Sequence, residues 1–303
     1  MKILSTKTLR TLLQRVLFFL PASRRITLDR WLRGRKEFRK LQRADIVVVS
    51  LPKSGRTWLR VMLSRFFQQR FNLEADSVLG FDNFNKLNNA IPKIFFTHDN
   101  VLRDYSGRIN TKQDFYGKKI ILLTRDPRDV AVSGYHQWAH RMSEEKRKLY
   151  YGLDTKDVNS IFEFVMNAPY GIPYNIAFLN SWEKELGRIS DILIVRYEDM
   201  RSAPQDTLSK ILEFMNTAPQ PHEIDDVVTY ADFKNMRKLE QKQAFQTSSQ
   251  RLFAQDTNKP NTLKTRRAKV GGFRDYFTEE QIAKIDNLID KELSPSFGYH
   301  SQA

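Results

Sequence analysis

The sequence predicts an α/β fold, a parallel central sheet flanked by helices. Three observations carry that prediction. Short, nearly continuous apolar runs recur at 46–51, 119–124 and 191–196, as in strands buried on both faces. Helical patterns alternate with these runs, the mark of strand–helix units in a parallel sheet. Polar side chains stand where each run ends.

The first unit organises the chain. Ile46 to Leu51 reads as a strand, Pro52 to Arg56 as a tight turn, and Thr57 onward as a helix with Trp58, Val61, Met62 and Phe66 on one stripe. A strand, a short turn and a helix N-terminus aim backbone N–H groups at an anion, and the helix dipole adds positive charge there. Lys53 and Arg56 contribute two full charges, Ser54 and Thr57 two hydroxyls, and Gly55 the turn. The core is therefore P-loop-like and nucleotide-binding in style. It is not a Walker A loop, in which Gly precedes four residues and a Gly-Lys-Ser/Thr. The plain alternative is a core unit with a solvated Lys and Arg.

The remaining elements follow in order. Residues 78–90 are Asn-rich and read as a loop. Lys93 to Thr97 reads as a strand with His98 at its end, and 99–118 as loop. Lys119 to Thr124 is the next strand. Arg125-Asp126-Pro127 breaks it, with Asp126 placed to cap a helix and Pro127 at its first position. That helix carries Val130, Ala131, Ser133, Gly134 and Trp138. Residues 160–187 show two helical patterns. Asp191 to Arg196 is a strand ending at Tyr197. Thr207 to Met215 is helical, as is Glu223 to Leu239 with an interruption near Asp232. Gln241 to Gly272 shows no periodicity, and a segment of that length is usually functional or disordered. Thr278-Glu-Glu-Gln opens a capped helix to Ile289.

The 303 residues are 41% hydrophobic and 12% aromatic, a globular composition. With no Cys, the chain has no disulfide, no thiolate nucleophile and no Cys-ligated zinc. Val16 to Leu20 is too short for a signal-peptide core or a bilayer span. Residues 1–43 hold 4 Lys and 9 Arg against Asp29 and Glu37, so they carry +11 of the net +15. The remaining 260 residues are nearly neutral at +4, which argues against specific nucleic-acid binding by the main domain, 44–303. Leu9, Leu12, Leu13, Val16, Leu17 and Leu20 form one helical stripe, stopped by Pro21. Leu28, Trp31, Leu32, Phe38 and Leu41 form another, with Gly34 as a weak point. The segment 1–43 is expected either to lie on an anionic membrane or to pack on the domain.

In open parallel sheets the ligand crevice lies beyond the carboxyl ends of the strands. Lys53 to Thr57, His98, Arg125 and Tyr197 all stand at such ends. Arg125 and Ser133 can hold a second anion. The bland readings are a salt bridge from Arg125 to Asp126 or Asp129, and a packing hydroxyl at Ser133. His98 suits a general base because its pKa lies near working pH. His136 and His140 have metal-pair spacing, but no third ligand suggests itself, and they read as helix-packing residues.

These motifs resemble the sulfotransferase family. SLPKSGRTW is similar to its phosphosulfate loop, usually YPKSGTTW. LLTRDPRDVAVSGYH resembles the 3′-phosphate motif, TRRAKVGGFRDYF the third signature, and IFFTHD the Lys-Thr-His element; ILIVRYEDM and DFKNM also match. The resemblance runs from about residue 45 to the end. It implies transfer of a sulfuryl group from 3′-phosphoadenosine 5′-phosphosulfate (PAPS) to an acceptor hydroxyl or amine, with adenosine 3′,5′-bisphosphate (PAP) as product and no metal. It implies that Lys53, Ser54, Gly55, Arg56 and Thr57 bind the 5′-phosphosulfate, and that Trp58 and Phe233 sandwich the adenine with Tyr197 in contact. Arg125, Ser133, Arg266, Arg267 and Ala268 would meet the 3′-phosphate end. His98 would take the acceptor proton, and Lys53 would stabilise the leaving phosphate, with Ser133 joining them in the catalytic set. The cytosolic type of this domain implies a cytoplasmic enzyme, and a small-molecule, lipid or glycan acceptor.

Three departures from the family pattern stand out. Arg56 replaces the usual Thr, Phe96 the usual Lys, and Ala268 the usual Gly. The Gly position at 268 would be strained if it uses positive φ. The dimer motif of cytosolic members is interrupted after Thr278, so that dimer is not expected. A P-loop-like kinase is the competing enzyme, disfavoured by the missing Walker A loop. A non-catalytic nucleotide binder at a membrane surface is the competing non-enzyme. The acceptor pocket is expected among 76–92, 141–175 and 241–265, with Phe81, Phe84, Tyr150, Tyr151, Phe162, Tyr170 and Phe253.

Overall fold

Two apolar layers sandwich four parallel strands in a computed structural model, which describes residues 21–74, 77–152, 155–167, 169–245 and 262–301. The strands are β1 (Ile46–Ser50), β2 (Ile94–Thr97), β3 (Lys119–Thr124) and β4 (Asp191–Arg196), in the order β2-β1-β3-β4. Alternation explains the continuous apolar runs. Val47, Val49, Ile120 and Leu122 enter one core layer, while Ile46, Val48, Ile121 and Leu123 enter the other. β1 pairs with both β2 and β3, with Val49 opposite Thr97 and Leu122. The chain leaves β1 for one side and returns to the other. That reversal opens a crevice beyond the carboxyl ends of β1 and β3.

The helices are α1 (Ala22–Arg43), α2 (Arg56–Arg70), α3 (Asn83–Leu87), α4 (Leu102–Ser106), α5 (Pro127–Arg141), α6 (Glu144–Tyr151), α7 (Ile161–Asn167), α8 (Ile172–Glu183), α9 (Tyr197–Ser202), α10 (Pro204–Phe214), α11 (Pro221–Tyr230), α12 (Phe233–Gln241) and α13 (Glu279–Glu292). Local chemistry sets their starts. Asp126 accepts the Arg128 N–H ahead of α5, with Pro127 at its first position. Asp232 accepts the Asn235 N–H and separates α11 from α12, which is the interruption expected there. Thr278 and Gln281 form the expected capping box of α13.

Several stretches differ from their expected form. Residues 78–90 and 99–118 hold α3 and α4, too short for a 3.6-residue pattern to declare itself. Gly34 does not weaken α1, which runs unbroken and docks on α4. A β-carbon at Gly34 would lie 2.2 Å from the Val101 carbonyl oxygen. The glycine permits a close helix crossing. Trp31 and Phe38 flank Tyr105 with ring centroids 5.2 and 5.4 Å away, and Leu41 is buried in the core. So α1 packs on the domain, while Arg24, Arg25, Arg35, Lys36, Arg39 and Arg43 stay exposed on its outer side. The Leu9–Leu20 stripe and residues 246–261 of the long unpatterned stretch lie outside the described residues. Among the described residues, no helix is long and apolar enough to cross a membrane.

Candidate active site

All four strand ends open into one cavity of about 550 Å³, well within the range of small-ligand sites. Lys53, Gly55, Arg56, Thr57 and Trp58 line it from the loop and α2. His98 comes from β2, Arg125 and Ser133 from β3 and α5, Tyr197 from β4, Phe233 from α12, and Arg266, Arg267 and Ala268 from the C-terminal segment. Ser54 alone of the expected residues does not line the cavity: its side chain is turned inward and fully buried.

The loop is tight for reasons visible in the residues. Gly55 has φ +91°, and a β-carbon there would sit 2.6 Å from the Tyr197 ring. Glycine alone lets the ring lie against the turn. Lys53 also takes a left-handed φ of +74°, unusual for a residue with a side chain. The buried Ser54 Oγ and the Nε of Arg125 have no hydrogen-bond partner among the described residues. Orphaned buried donors at a helix N-terminus fit an oxyanion ligand.

Arg125 ties the crevice together. It donates to the Lys53 carbonyl (3.0 Å) and the Lys269 carbonyl (3.3 Å), and pairs with Asp129 (3.3 Å). Its guanidinium stacks 4.2 Å from the Tyr197 ring centroid. The bland salt-bridge reading of Arg125 is therefore realised alongside its place in the cavity. Asp129 also accepts the N–H groups of Gly271 and Phe273, which fixes the C-terminal segment against α5. There Arg266 donates to the Tyr276 hydroxyl and Arg267 pairs with Asp275. Ala268 has φ +50°, the left-handed backbone for which the family's glycine is suited.

Trp58 and Phe233 both line the cavity. The Trp58 indole N–H donates to the Ala231 carbonyl (2.7 Å), and its ring meets Tyr197 edge-on at 6.0 Å. Both aromatics that the resemblance assigns to the base therefore face the same cavity.

His98 is bonded at both nitrogens. Nδ1 is 2.8 Å from the Ser50 carbonyl oxygen, which can only accept, so Nδ1 carries the proton. Nε2 is then the lone-pair nitrogen, and it accepts from Arg56. Burial first, and the Arg56 charge second, hold His98 well below its ordinary pKa, so it is a neutral imidazole near pH 7. Lys53 keeps some solvent contact through the cavity yet is surrounded by dense protein. Burial, then Arg141, Lys264 and Arg125, brings its ammonium down to about 7.

Other sequence expectations need correction. The neighbour of Phe96, which stands where the family pattern has Lys, is Arg60, whose guanidinium lies 3.6 Å from the ring centroid. The aromatics expected around the acceptor do not line this cavity. Phe84 is fully buried in the core, Phe81 packs on Phe95, Phe162 on Phe277, and Tyr151 on Tyr170. Apolar rings close onto one another where core surface is within reach. Phe253 and the side chain of Tyr150 lie outside the described residues. His136 and His140 stack on each other, and His136 meets Tyr276 edge-on, as packing residues do.

The lining also includes residues that the strand-end argument missed: Gln137, Arg141, Lys146, Arg201 and Lys264. A signal for two of them existed. Ser133, Gln137 and Arg141 are four residues apart and so share one face of α5.

The comparisons with known proteins agree with this geometry. A family model described as the sulfotransferase domain matches residues 43–297. A flavonol 3-sulfotransferase of Flaveria bidentis is 26% identical over 270 residues, covering 82% of this chain and 81% of its own. Cytosolic sulfotransferase 3 of Arabidopsis thaliana is 23% identical over 265 residues, covering 84% and 78%. The structure of a mouse sulfotransferase complexed with PAP aligns with a TM-score of 0.56 at 21% identity, covering 85% of this chain and 86% of that one. The strand order, the strand-end cavity and the matched family model together place the chain: it belongs to the sulfotransferase family and is a sulfuryl-transferring enzyme of parallel α/β architecture.

Proposed function

We propose that the sulfuryl donor is PAPS and that the acceptor is a hydroxyl-bearing small molecule or lipid headgroup. One observation carries the reading: His98 and Lys53 line a single cavity together with the cations of the 5′ loop and with Arg125, Arg266 and Arg267. The donor supplies an activated sulfuryl group. Lys53, Arg56 and Thr57, with the loop N–H groups at Ser54 and Gly55, would hold the phosphosulfate. Arg125, Ser133, Arg266 and Arg267 would hold the 3′-phosphate, with Ala268 beside them. Trp58, Phe233 and Tyr197 would enclose the base. The matching donor set supports this fit.

His98 Nε2 would accept the acceptor's proton as its oxygen attacks sulfur. The Ser50 carbonyl keeps Nδ1 protonated, so the lone pair is at Nε2. Lys53 would meet the negative charge that grows on the bridging oxygen. A fixed donor of this kind is worth about 3–4 kcal/mol. Arg56 occupies Nε2 in the described conformation, so it must release that nitrogen before His98 can act.

The enzyme acts in the cytoplasm on this reading, as the name of the Arabidopsis relative suggests. The outer face of α1, with its six exposed cations and the partly exposed Trp31, supports peripheral contact with an anionic membrane. The test of the site assignment is transfer of labelled sulfate from PAPS to an acceptor panel. His98→Ala is expected to lose at least 100-fold in turnover with PAP affinity within threefold of the parent. Near-normal turnover would return His98 to a structural role.

A further inference from the structure

A buried carboxylate stands behind the basic cavity, where its charge opposes anion binding. Glu240 of α12 is fully buried. One of its oxygens accepts the Lys264 N–H (2.7 Å), and the other accepts the Thr265 N–H (2.9 Å) and the Thr265 hydroxyl (2.7 Å). Lys264 and Thr265 both line the cavity. Burial of the carboxylate is costly in itself, and its charge weakens an anion bound nearby. The three hydrogen bonds offset the first cost but not the second.

Those bonds hold the start of a short span. Residues 266–270 run from the Glu240 anchor to a second one, the buried Asp129, whose oxygens accept the N–H groups of Gly271 and Phe273, both at 3.0 Å. Arg266 and Arg267 lie within the span, and so does Ala268 with its left-handed φ of +50°. A residue with a β-carbon keeps that conformation only where its surroundings fix it. Here the chain is fixed on both sides. The two guanidinium groups are aimed from the turn that Asp129 pins, Gly272–Tyr276: Arg266 donates to the Tyr276 hydroxyl, and Arg267 pairs with Asp275. Phe233, Met236 and Glu240 stand at positions i, i+3 and i+7 and so share one face of α12, and the first two line the cavity. The helix that supplies an aromatic to the cavity thus also holds the segment with the two arginines.

We propose that Glu240 is a positioning residue for donor recognition: through the backbone of Lys264 and Thr265 it sets Arg266 and Arg267 at the 3′-phosphate, while Phe233 on the same helix meets the base. Asp129 holds the other end of the span. The inference rests on the PAPS reading, which puts the 3′-phosphate there. Charge and position predict opposite signs for the loss of this carboxylate. An effect through charge would tighten every anion in the cavity once Glu240 is neutral. An effect through position weakens the ligand that carries a 3′-phosphate and spares the one that lacks it.

The test is calorimetric titration of the full chain and its variants with PAP and with 5′-AMP. In Glu240→Gln an amide NH2 replaces one acceptor oxygen and faces donors. This variant should bind PAP about 10-fold more weakly and 5′-AMP within about threefold of the parent. Thr265→Val removes one of the three bonds and should lose part of the preference for PAP, which Thr265→Ser should keep. Residues that act through one another are not additive, so the double variant should bind PAP no more weakly than Glu240→Gln alone. PAP binding that is unchanged or tighter in Glu240→Gln overturns the proposal. Equal losses for both nucleotides do so too, since they would make Glu240 a support of the whole cavity. Additive losses in the double variant would also overturn it, by assigning Thr265 to the donor itself. If Glu240→Gln does not fold, Thr265→Val against Thr265→Ser decides, and an unchanged preference in Thr265→Val is the contrary result. A parent that binds PAP and 5′-AMP equally would instead refute the donor reading, and this proposal with it.

Discussion

Lys53 makes the residue-scale chemistry measurable. With its ammonium brought down to about 7, Lys53 is mostly neutral at pH 8 in the free protein. A phosphate placed beside it favours the charged form, and both phosphates of PAP are already ionised at that pH. PAP binding at pH 8 should therefore take up close to one proton, and affinity should fall as pH rises from 7 to 9. Calorimetry in two buffers of different ionisation enthalpy reads the uptake directly. Lys53→Met should abolish it; uptake that persists in that variant would assign the proton elsewhere. The place of Lys53 in the cavity was legible from its position after a β-branched run and before a glycine. The cations that tune it were not, because Arg141 and Lys264 are 88 and 211 residues away in the chain. Likewise His98 was legible at a strand end, but the contact that closes Nε2 depends on the side chain of Arg56 crossing from β1's loop to β2.

At the scale of elements, α1 decides whether the N-terminal part is an attachment or a wall of the site. Glu37 of α1 accepts from the Thr97 hydroxyl (2.9 Å), the residue before His98, and sits close enough to Arg56 for that charge to act on it. Burial outweighs those contacts and raises the Glu37 pKa. The helix thus supports the strand end that carries the base. Gly34→Ala tests the docking. On an exposed helix that change would stabilise by about 1 kcal/mol. Here the new β-carbon meets the Val101 backbone oxygen at 2.2 Å, so a loss of about 1–3 kcal/mol is expected from denaturant unfolding. A gain would show that α1 does not pack as described. The core strands and the caps at Asp126, Asp232 and Thr278 could be read from local chemistry, since each depends on neighbours within three residues. The docking of α1 could not, because an apolar stripe with basic flanks suits a membrane and a protein surface equally.

At the scale of the molecule, positive charge gathers in two places: the outer face of α1 and the cavity. Removing residues 1–43 would strip Glu37 from the site, so the membrane contact is better tested by reversing surface charge. Arg35→Glu, Lys36→Glu and Arg39→Glu together should abolish co-sedimentation with phosphatidylserine vesicles at low salt and leave sulfuryl transfer to a soluble acceptor intact. Each cation near such a surface contributes about 1 kcal/mol. Binding unaffected by the three changes would remove the membrane from the account. The central claim is narrower: the cavity is built for a nucleotide with anions at both its 3′ and 5′ ends. Calorimetric titration with PAP, 5′-AMP and ATP-magnesium tests it. A charge-assisted hydrogen bond contributes about 1.5–3 kcal/mol, so the 3′-phosphate facing Arg125, Arg266 and Arg267 should make PAP at least 10-fold tighter than 5′-AMP. ATP-magnesium should bind no better than 5′-AMP. Equal affinity for PAP and 5′-AMP, or preference for ATP-magnesium, would contradict the assignment.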